Sequence, residues 1–453
     1  MIKHIKKDFP SIFKCKISIL GLGYVGLPLA FELARTNSCK RTGNLLDRKI
    51  YGFDIDKNRI GQLKRGIDST QEIDSNDINF LKKIKFTNEL DDIYDSDVFI
   101  VTVPTPIDSQ KVPDLKPLLS VSETIGICLD KAKKNDLLQN RKIIIFESTV
   151  FPGATEEICI PVIEKEANLK RNIEFSYGYS PERINPGDKE HRLTQIKKVT
   201  SGSDEETRIW VDELYGSIIE AGTFSVSNVK TAEAAKIIEN TQRDLNIALI
   251  NELTLIFQRM GLNTKEVLDG ASTKWNFIKL FPGLVGGHCI GVDPYYLTYK
   301  ASQLGYSPNL ILSGRKVNDS MGSEVAKIII KEMARRRIVI NASKILILGF
   351  AFKQNCPDFR NTGVINVYNE LIDFGCQVSV YDPLVDQEKV IEIYNLNLIK
   401  EILKNEFDAI LIAVGHDCFK ELGIDEIKKF HKEKGFILDL KYIFYKEQDV
   451  LYL

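Results

Sequence analysis

Short runs of apolar residues alternate with amphipathic stretches along the first part of the chain. Four of these runs have the length and apolar character of buried strands, at residues 16–21, 50–54, 97–103 and 142–146. The segments between them have helical patterns. Because parallel strands are joined by helices and covered on both faces, this alternation predicts a doubly wound parallel sheet.

The pattern changes between about residues 228 and 260. This stretch contains no Gly or Pro, and its apolar residues recur at three- and four-residue spacing. The spacing predicts one long helix. Such a helix is typical of the core of a helical domain or of a dimer interface.

Strand–helix alternation returns after about residue 320, with apolar runs at 344–349, 377–382, 408–414 and 435–440. The order repeats that of the first segment, including a Gly after the first strand and an Asp that ends the second. We therefore predict an α/β protein with two Rossmann-like doubly wound domains joined by a central helical domain. The predicted boundaries are 1–220, 221–319 and 320–453.

Composition excludes several classes of protein. Lys plus Arg number 61 and Asp plus Glu 62, so the charge balance indicates neither a nucleic acid nor an anionic membrane as a partner. No apolar run approaches the roughly 18–20 residues that span a bilayer, and residues 1–14 do not resemble a signal peptide. Any anion specificity must be local.

The eight cysteines have irregular spacing without a CxxC pair. This usage argues against a disulfide framework and a zinc site, and it favours a reducing cytoplasm. We expect seven of the cysteines to be small buried hydrophobic residues, and the eighth, Cys289, to be reactive.

A glycine fingerprint follows the first predicted strand. Gly21 permits a tight turn, Gly23 lets the backbone approach a pyrophosphate, and Gly26 lets the helix and the strand pack closely. Phosphates would then lie at the helix N-terminus. A glycine-rich turn without a ligand is the alternative, but the flanking strand and helix favour a dinucleotide site.

Asp54 ends the second predicted strand and suits the ribose hydroxyls of the cofactor, whereas a 2′-phosphate would be repelled. NAD is therefore favoured over NADP. Asp54 lies further from the glycines than the usual ~20 residues, and the polar stretch 37–49 predicts a loop insertion that accounts for the difference. The candidate cofactor residues also include Arg59.

The segment 286–294 contains Cys289 between small residues that leave its thiol accessible. A free Cys is only partly ionised at neutral pH, so a nucleophile needs a base or a cation nearby. Asp293 could act through a water, and a lysine from elsewhere could stabilise the anion. His288 is a weaker partner because adjacent side chains usually point apart. Since no further His/Cys cluster exists, we expect no metal.

Three polar residues share one face of the long predicted helix: Lys236, Asn240 and Arg243. The face could simply be solvated, or Lys236 and Asn240 could donate to an oxyanion in a buried site. Further candidate loops follow strand ends, where doubly wound sheets carry function, at 104–106, 147–149 and 180–187.

Taken together, these motifs resemble those of a known family, the nucleotide-sugar 6-dehydrogenases (the UDP-glucose/GDP-mannose dehydrogenase superfamily). The motifs occur in family order from about residue 15 to 445: GLGYVGLP, VPTP, ESTVFPG, SPERINPG, AEAAKIIENTQRDLNIALINE, GGHCIGVDPYYL and FAFKQNCPDFRNT. Within the family the chain is most similar to the UDP-N-acetylhexosamine branch. UDP-glucose enzymes usually have Ser, Lys and Glu where this chain has His288, Val292 and Pro186.

The resemblance implies a four-electron oxidation at C6 of a UDP-sugar, with NAD as cofactor and Cys289 as nucleophile. A first hydride leaves to give an aldehyde, which Cys289 captures as a thiohemiacetal. A second hydride leaves to form a thioester, and water releases the carboxylate for surface polysaccharide synthesis.

Roles for other residues follow from the same resemblance. Lys236, helped by Asn240, would stabilise the alkoxide and the thiohemiacetal oxygen. Asp293 would act as a base through water, Thr149 would position that water, and Glu182 would assist hydrolysis.

The resemblance also implies two sets of binding residues. For NAD it adds Tyr24, Val25, Thr105, Thr149 and, from the third domain, Arg360. For the nucleotide sugar it adds Arg183, Ile184, Lys236, Asn240, Arg243, Gly286, Phe352 and Lys353, with Lys274, Asn276, Arg315 and Lys441 as further candidates. The third domain would hold UDP.

Three alternatives stay open at this stage. The first is the same chemistry on UDP-glucose, GDP-mannose or UDP-ManNAc. The second is a two-electron hydroxyacid dehydrogenase, and the third is a non-catalytic NAD- or nucleotide-sugar-binding protein. The motifs do not distinguish UDP-GlcNAc from UDP-GalNAc. The long apolar helix predicts at least a homodimer.

Overall fold

The computed structural model describes residues 7–70, 72–74, 77–108, 110–183, 192–287 and 290–453. By its internal contacts the chain divides into two units. The first comprises Met1–Glu239 and Tyr295–Leu304, and the second comprises Asn240–Pro294 and Gly305–Leu453.

The first unit is built on a mostly parallel sheet. Its strands, within the described residues, are β1 (Lys16–Leu20), β2 (Lys49–Phe53), β3 (Ile84–Thr87), β4 (Val98–Val101), β5 (Lys142–Phe146), β6 (Phe175–Tyr179), β7 (Lys198–Gly202) and β8 (Thr223–Ser225). They lie in the order β3-β2-β1-β4-β5-β6-β7-β8. Only the β6–β7 pairing among these is antiparallel, with Gly178 opposite Gly202.

The helices that start in this unit are α1 (Gly26–Arg35), α2 (Lys57–Lys64), α3 (Lys116–Lys134), α4 (Ile160–Ala167), α5 (Glu205–Gly216) and α6 (Val229–Met260). A π-helical turn, Thr155–Cys159, leads into α4. Because helices cover the sheet, the strand residues Ile17, Ile19, Ile100 and Ile143 are completely buried. The first residues of α6 belong to the first unit and the remainder to the second.

The second unit contains a parallel sheet. Its strands among the described residues are β9 (Lys344–Leu348), β10 (Gln377–Tyr381), β11 (Phe407–Ile412), β12 (His431–Asp439) and β13 (Val450–Tyr452), in the order β10-β9-β11-β12-β13. Its described α-helices are α7 (Thr264–Ala271), α9 (Asn309–Arg335), α10 (Val364–Asp373), α11 (Gln387–Tyr394), α12 (Asp417–Leu422) and α13 (Ile424–Lys428). Helix α8 (Asp293–Gln303) belongs to the first unit from Tyr295 onwards.

The structure confirms the α/β fold, the predicted strands and the long helix, which begins at Val229 and ends at Met260. The sequence did not predict β3, β6, β7, β8 and β13, since these strands are short or interrupted by Gly and polar residues. Helix α9 runs through residue 320, and the three-domain boundaries stay a prediction. No described helix has the length and apolarity needed to cross a membrane.

One cysteine prediction was wrong. Cys15, Cys39, Cys128, Cys159, Cys356 and Cys376 are buried, but Cys418 is exposed. Helix α12 turns the following residue, Phe419, into the core instead and leaves Cys418 on the solvent side. Cys289 lies outside the described residues.

Candidate active site

The glycine loop connects β1 to α1 at the carboxyl end of the sheet. Gly21 has a φ of +98°, which other residues rarely adopt, and a Cβ added to Gly26 would lie only 1.9 Å from the Gly21 carbonyl oxygen. A Cβ added to Gly23 would meet no atom within 4 Å. Two glycines are therefore required by the fold, whereas Gly23 keeps open space beside the backbone, as a pyrophosphate site needs.

Asp54 follows β2 and is half-buried beside this loop. Its Oδ2 accepts a hydrogen bond from the Leu22 N–H at 2.8 Å. Arg59, on α2, donates through Nε to the Leu22 oxygen at 3.0 Å and through Nη2 to Asp68 at 3.0 Å. Asp54 thus binds the N–H of Leu22 and Arg59 binds its carbonyl oxygen, so the two side chains together hold the glycine loop in place. The predicted insertion is a loop closed by the Leu46 N–H to Asn37 oxygen bond.

The other predicted cofactor residues of the first unit lie at the same edge. Thr105 follows β4 and Thr149 follows β5, and both are half-buried, as are Tyr24 and Val25 at the start of α1. Since β2, β1, β4 and β5 are neighbours in the sheet, their carboxyl ends form one continuous edge. The residues present there fit an NAD site.

A cluster of buried charges lies next to that edge. The Lys198 ammonium donates to Glu147 Oε2 at 2.9 Å, to Glu182 Oε2 at 2.6 Å and to the Pro181 oxygen at 3.3 Å. Tyr215, from α5, donates its hydroxyl to the other oxygen of Glu147. At most 4% of each of Glu147, Glu182, Lys198 and Tyr215 is exposed.

Burial and the neighbouring charges together set the pKa of each group in this cluster. Although burial acts to lower the pKa of Lys198, the attraction of Glu147 and Glu182 raises it, so the ammonium stays protonated. Burial raises the pKa of Glu147, and Lys198 partly offsets this effect. Burial also raises the pKa of Tyr215 well above its usual value, which keeps the hydroxyl a donor.

Lys236, on α6, is buried, and its Nζ donates to the Glu182 main-chain oxygen at 2.6 Å. Arg183 donates through Nη2 to the Lys236 oxygen at 3.0 Å and forms an ion pair with Glu239. The structure therefore brings Lys236, Glu182 and Arg183 together. A solvated face is excluded for Lys236. Ile184 lies outside the described residues.

In the second unit, Asn240 donates its amide to Asp293 Oδ2 at 2.6 Å, and both side chains are buried. Arg243, on the same helix, is exposed. His288 and Cys289, which precede Asp293 in the chain, lie outside the described residues. The pairing of Asn240 with Asp293 leaves the carboxylate in a defined orientation.

The loop before Cys289 packs on the loop after β9. A Cβ on Gly286 would lie 2.8 Å from the Asn361 oxygen, and one on Gly287 would lie 3.0 Å from the Phe352 ring. Phe352 and its neighbour Lys353 are half-buried. Glycines at 286 and 287 are therefore needed for this close packing.

The remaining predicted binding residues differ in their burial and in their partners. Arg360 forms a bidentate ion pair with Asp358, at 2.9 and 2.7 Å. Arg315 is buried and forms an ion pair with Asp244 at 2.6 Å. Lys274 and Asn276 are exposed. A cavity of about 520 Å³ in the second unit is lined by Phe281, Pro282, Gln354, Lys420, Leu440, Lys441, Tyr442 and Ile443.

Comparison with known proteins decides the family. The UDP-glucose/GDP-mannose dehydrogenase family matches the chain at residues 15–219 with its NAD binding domain, at 230–320 with its central domain and at 346–446 with its UDP binding domain. The chain belongs to the UDP-glucose/GDP-mannose dehydrogenase family. This dehydrogenase is therefore an NAD-dependent oxidoreductase that acts on a UDP-sugar.

Full-length relatives agree with this assignment. The dehydrogenase is 51% identical to a UDP-N-acetyl-D-glucosamine 6-dehydrogenase of Pseudomonas aeruginosa, over 97% of this chain and 99% of the relative. It is 48% identical to a protein of the same name from Salmonella typhi, over 96% and 98%. A solved UDP-D-ManNAc dehydrogenase from Pyrococcus horikoshii superposes with a TM-score of 0.82 at 29% identity, covering 96% of this chain and 98% of that one.

The sequence did not single out Lys198 or Tyr215 of the dehydrogenase. Neither residue belongs to a motif, and both reach the cluster through β7 and α5, which pack at the far side of β6. The signal that could have found Lys198 is a lysine at the start of a short strand, KVTSG, in which three of the four following residues are buried.

Proposed function

We propose that the dehydrogenase oxidises the C6 hydroxyl of a UDP-N-acetylhexosamine to the uronic acid, with UDP-GlcNAc as the favoured substrate, for surface polysaccharide synthesis. The two relatives at 51% and 48% identity are named for UDP-N-acetyl-D-glucosamine. His288, Val292 and Pro186 stand at positions where UDP-glucose enzymes usually have other residues. Both observations support the hexosamine over glucose.

The observation that carries the chemistry is the buried Lys236 ammonium, held by the Glu182 oxygen at 2.6 Å. A fixed buried cation stabilises negative charge that develops on a nearby oxygen more strongly than a solvated one does. Lys236 would therefore stabilise the C6 oxygen when it becomes an alkoxide and again in the thiohemiacetal. NAD, when bound, accepts the hydride in each oxidation.

Covalent capture by Cys289 explains how one site completes four-electron oxidation. The sulfur adds to the aldehyde carbon, and the thiohemiacetal then loses its remaining hydride to become a thioester. Water adds to the thioester carbonyl, the C–S bond breaks, and the sulfur leaves as the thiolate. The Cys289 adduct retains the sugar between the two oxidations.

The proton transfers divide between two carboxylates. Asp293, oriented by the Asn240 amide at 2.6 Å, would take the hydroxyl proton through a water. Thr149 would position the water through which Asp293 acts, and Glu182 would take a proton from the attacking water in the hydrolysis step. Both carboxylates are buried and oriented by hydrogen bonds, which fixes where each could accept a proton.

We also propose that the dehydrogenase is at least a homodimer. The described residues of the second unit expose large apolar side chains on several helices and loops, including Leu249 and Ile256 on α6, Leu310 on α9 and Trp275, which is 97% exposed. Leu249 and Ile256 are seven residues apart and so share a helix face. A second copy would cover such surface. The cytoplasmic location stays a prediction.

The test is the number of NADH molecules released per molecule of UDP-GlcNAc and of UDP-GalNAc, for the wild type and for Cys289→Ser. Two NADH per UDP-GlcNAc, lost in the variant, is the expected result. One NADH per sugar from the wild type would refute the thioester route. No NADH from either sugar would contradict the substrate class and direct the assay to UDP-glucose, GDP-mannose and UDP-ManNAc.

A further inference from the structure

The Lys198 ammonium has no part in the chemistry described above, although it is one of the most buried charges in the first unit. An ammonium has three N–H donors. All three are used, by Glu147, Glu182 and the Pro181 oxygen. Lys198 therefore cannot bind substrate, and any effect it has on the reaction must act through the groups it holds.

The topology explains why Lys198 reaches this place. Glu147 follows β5 and Glu182 lies shortly after β6, so both carboxylates lie at the carboxyl end of the parallel sheet. Strand β7 is antiparallel to β6, so its first residue, Lys198, lies at that same end. A parallel β7 would have placed Lys198 at the opposite edge.

The arrangement places two buried carboxylates around one ammonium. Without the ammonium, Glu147 and Glu182 would be two buried like charges, and one of them would take up a proton. Three further groups face Glu182. The Arg183 N–H donates to its Oε1, Lys236 donates to its main-chain oxygen, and the Tyr215 hydroxyl lies near enough for the Glu182 charge to raise its pKa. The Lys198 ammonium lies directly on the Glu182 carboxylate, with its Nζ 2.6 Å from Oε2.

We propose that Lys198 is a positioning residue that keeps the Glu182 carboxylate ionised and aimed for thioester hydrolysis, and that Glu147 opposes it by sharing the same cation. The proposal rests on the proposed function of Glu182. In the hydrolysis step the water oxygen bonds to the thioester carbon and Glu182 accepts the water proton. The C–S bond breaks, and the proton then passes to the leaving Cys289 thiolate or to solvent. A protonated Glu182 could not accept that proton.

The experiment measures the decay of the covalent intermediate from about pH 5 to about pH 9. Enzyme is mixed with NAD and UDP-GlcNAc, quenched in acid at successive times and analysed by intact-protein mass spectrometry. In Lys198→Met the acid limb of the decay rate moves up by about 1–3 pH units, the shift expected when a neighbouring opposite charge is lost. The intermediate consequently accumulates below neutral pH.

Three companion variants test whether the acid limb moves in the direction that the proposal requires. In Glu147→Gln, Glu182 has the cation to itself, so the acid limb stays at or below its wild-type position. The double variant loses the cation and the competing carboxylate together, and its limb falls between those of Lys198→Met and the wild type. Lys198→Arg restores the wild-type limb at least in part.

Lys142→Met is the matched control. Lys142 is a buried lysine of the same sheet that pairs with Asp97 at 3.1 Å, at the other end of β5. Its loss leaves the limb in place.

The outcomes separate the two proposals. A wild type that forms no covalent intermediate contradicts the proposed function, and with it this inference. If the wild type forms the intermediate, equal slowing in both single variants without any movement of the limb would show a purely structural role for Lys198. An upward shift in Glu147→Gln overturns the inference by itself, including the case in which Lys198→Met does not fold.

Discussion

The two sheets each end their second strand in an aspartate, but the two aspartates have different surroundings. Asp54, after β2, is half-buried and accepts one backbone N–H from the glycine loop. Asp382, after β10, has a fully buried carboxylate that accepts the Phe350 N–H at 2.6 Å and the Ala351 N–H at 2.9 Å. A similar position in the fold therefore borders the proposed cofactor site in one sheet and serves internal packing in the other.

His416 is a further hydrogen-bond partner of the buried Asp382 carboxylate. The Asn355 N–H donates to His416 Nδ1 at 2.9 Å, so the ring proton is on Nε2, which lies 3.1 Å from Asp382 Oδ2. Burial acts to raise the pKa of Asp382, but the hydrogen bonds from His416 and the two backbone groups hold it below its usual value. The loop that carries Phe352 is thus fixed by a carboxylate that no ligand can reach.

Glu233 shows the opposite response to burial. This α6 residue of the first unit accepts the Gly153 N–H at 2.6 Å and the Thr155 N–H at 3.0 Å. Burial raises its pKa to about 7, because these backbone donors offset only part of the desolvation. Partners, and not depth alone, decide the ionisation of the two buried carboxyl groups.

The largest expected effect comes from Asp382→Ala. Three buried donors lose their acceptor, so the second unit should lose about 3–5 kcal/mol of stability. Hydrogen exchange read by mass spectrometry checks this, because peptides of β9, β10 and β11 lose protection while those of β1 and β2 keep it. Asp382→Asn, which retains one oxygen acceptor, is the milder control. A rise in the KM for NAD comparable to that of an Asp54 variant would contradict the comparison.

Glu233→Gln tests the pH response of the first unit. Folding raises the pKa of Glu233 from 4.5 to about 7. The protonated group therefore contributes its full stabilisation below pH 4.5, and this contribution is lost as the pH rises through about 7. The loss in the wild type is roughly 3 kcal/mol across this interval. In the Gln variant, which cannot ionise at this position, the loss of stability due to Glu233 should be absent from the pH profile of thermal unfolding. Glu123→Gln, at an exposed position on α3, should keep the wild-type slope.

Asp382 predicts the reverse sign for the second unit. Its pKa is lowered in the fold, so its contribution is present above the unfolded pKa and disappears as the pH falls through the folded pKa. Acid should therefore release protection in β9 and β10 by a route that Glu233→Gln does not change.

Asp54→Asn should give the smallest effect and the most specific one. The amide oxygen can still accept the Leu22 N–H, so the loop is retained, but the charge that favours ribose hydroxyls is lost. We expect the KM for NAD to rise about tenfold, about 1.4 kcal/mol, with little change in melting temperature. Asp56→Asn, which keeps its N-cap on α2, is the control. An unchanged KM would mean that Asp54 only supports the loop.

Much of the fold and part of the candidate site follow from the sequence. Apolar runs separated by helical patterns predicted the α/β class, because burial on both faces of a parallel sheet imposes that pattern locally. The glycine roles followed for the same reason: φ at Gly21 and the close approach at Gly26 are local constraints that only glycine satisfies.

Other features depended on contacts between distant segments. The sequence showed that the second sheet repeats the strand pattern of the first. The sequence around Asp382 did not indicate that His416 would form a hydrogen bond with its carboxylate. Lys198 likewise meets Glu147 across 51 residues and Glu182 across 16, because an antiparallel β7 returns to the carboxyl end of the sheet. Local patterns determined by themselves which elements form and where the glycine loop lies. Only the tertiary structure decided which charges face each other, since that depends on strand order and direction, which no local pattern encodes.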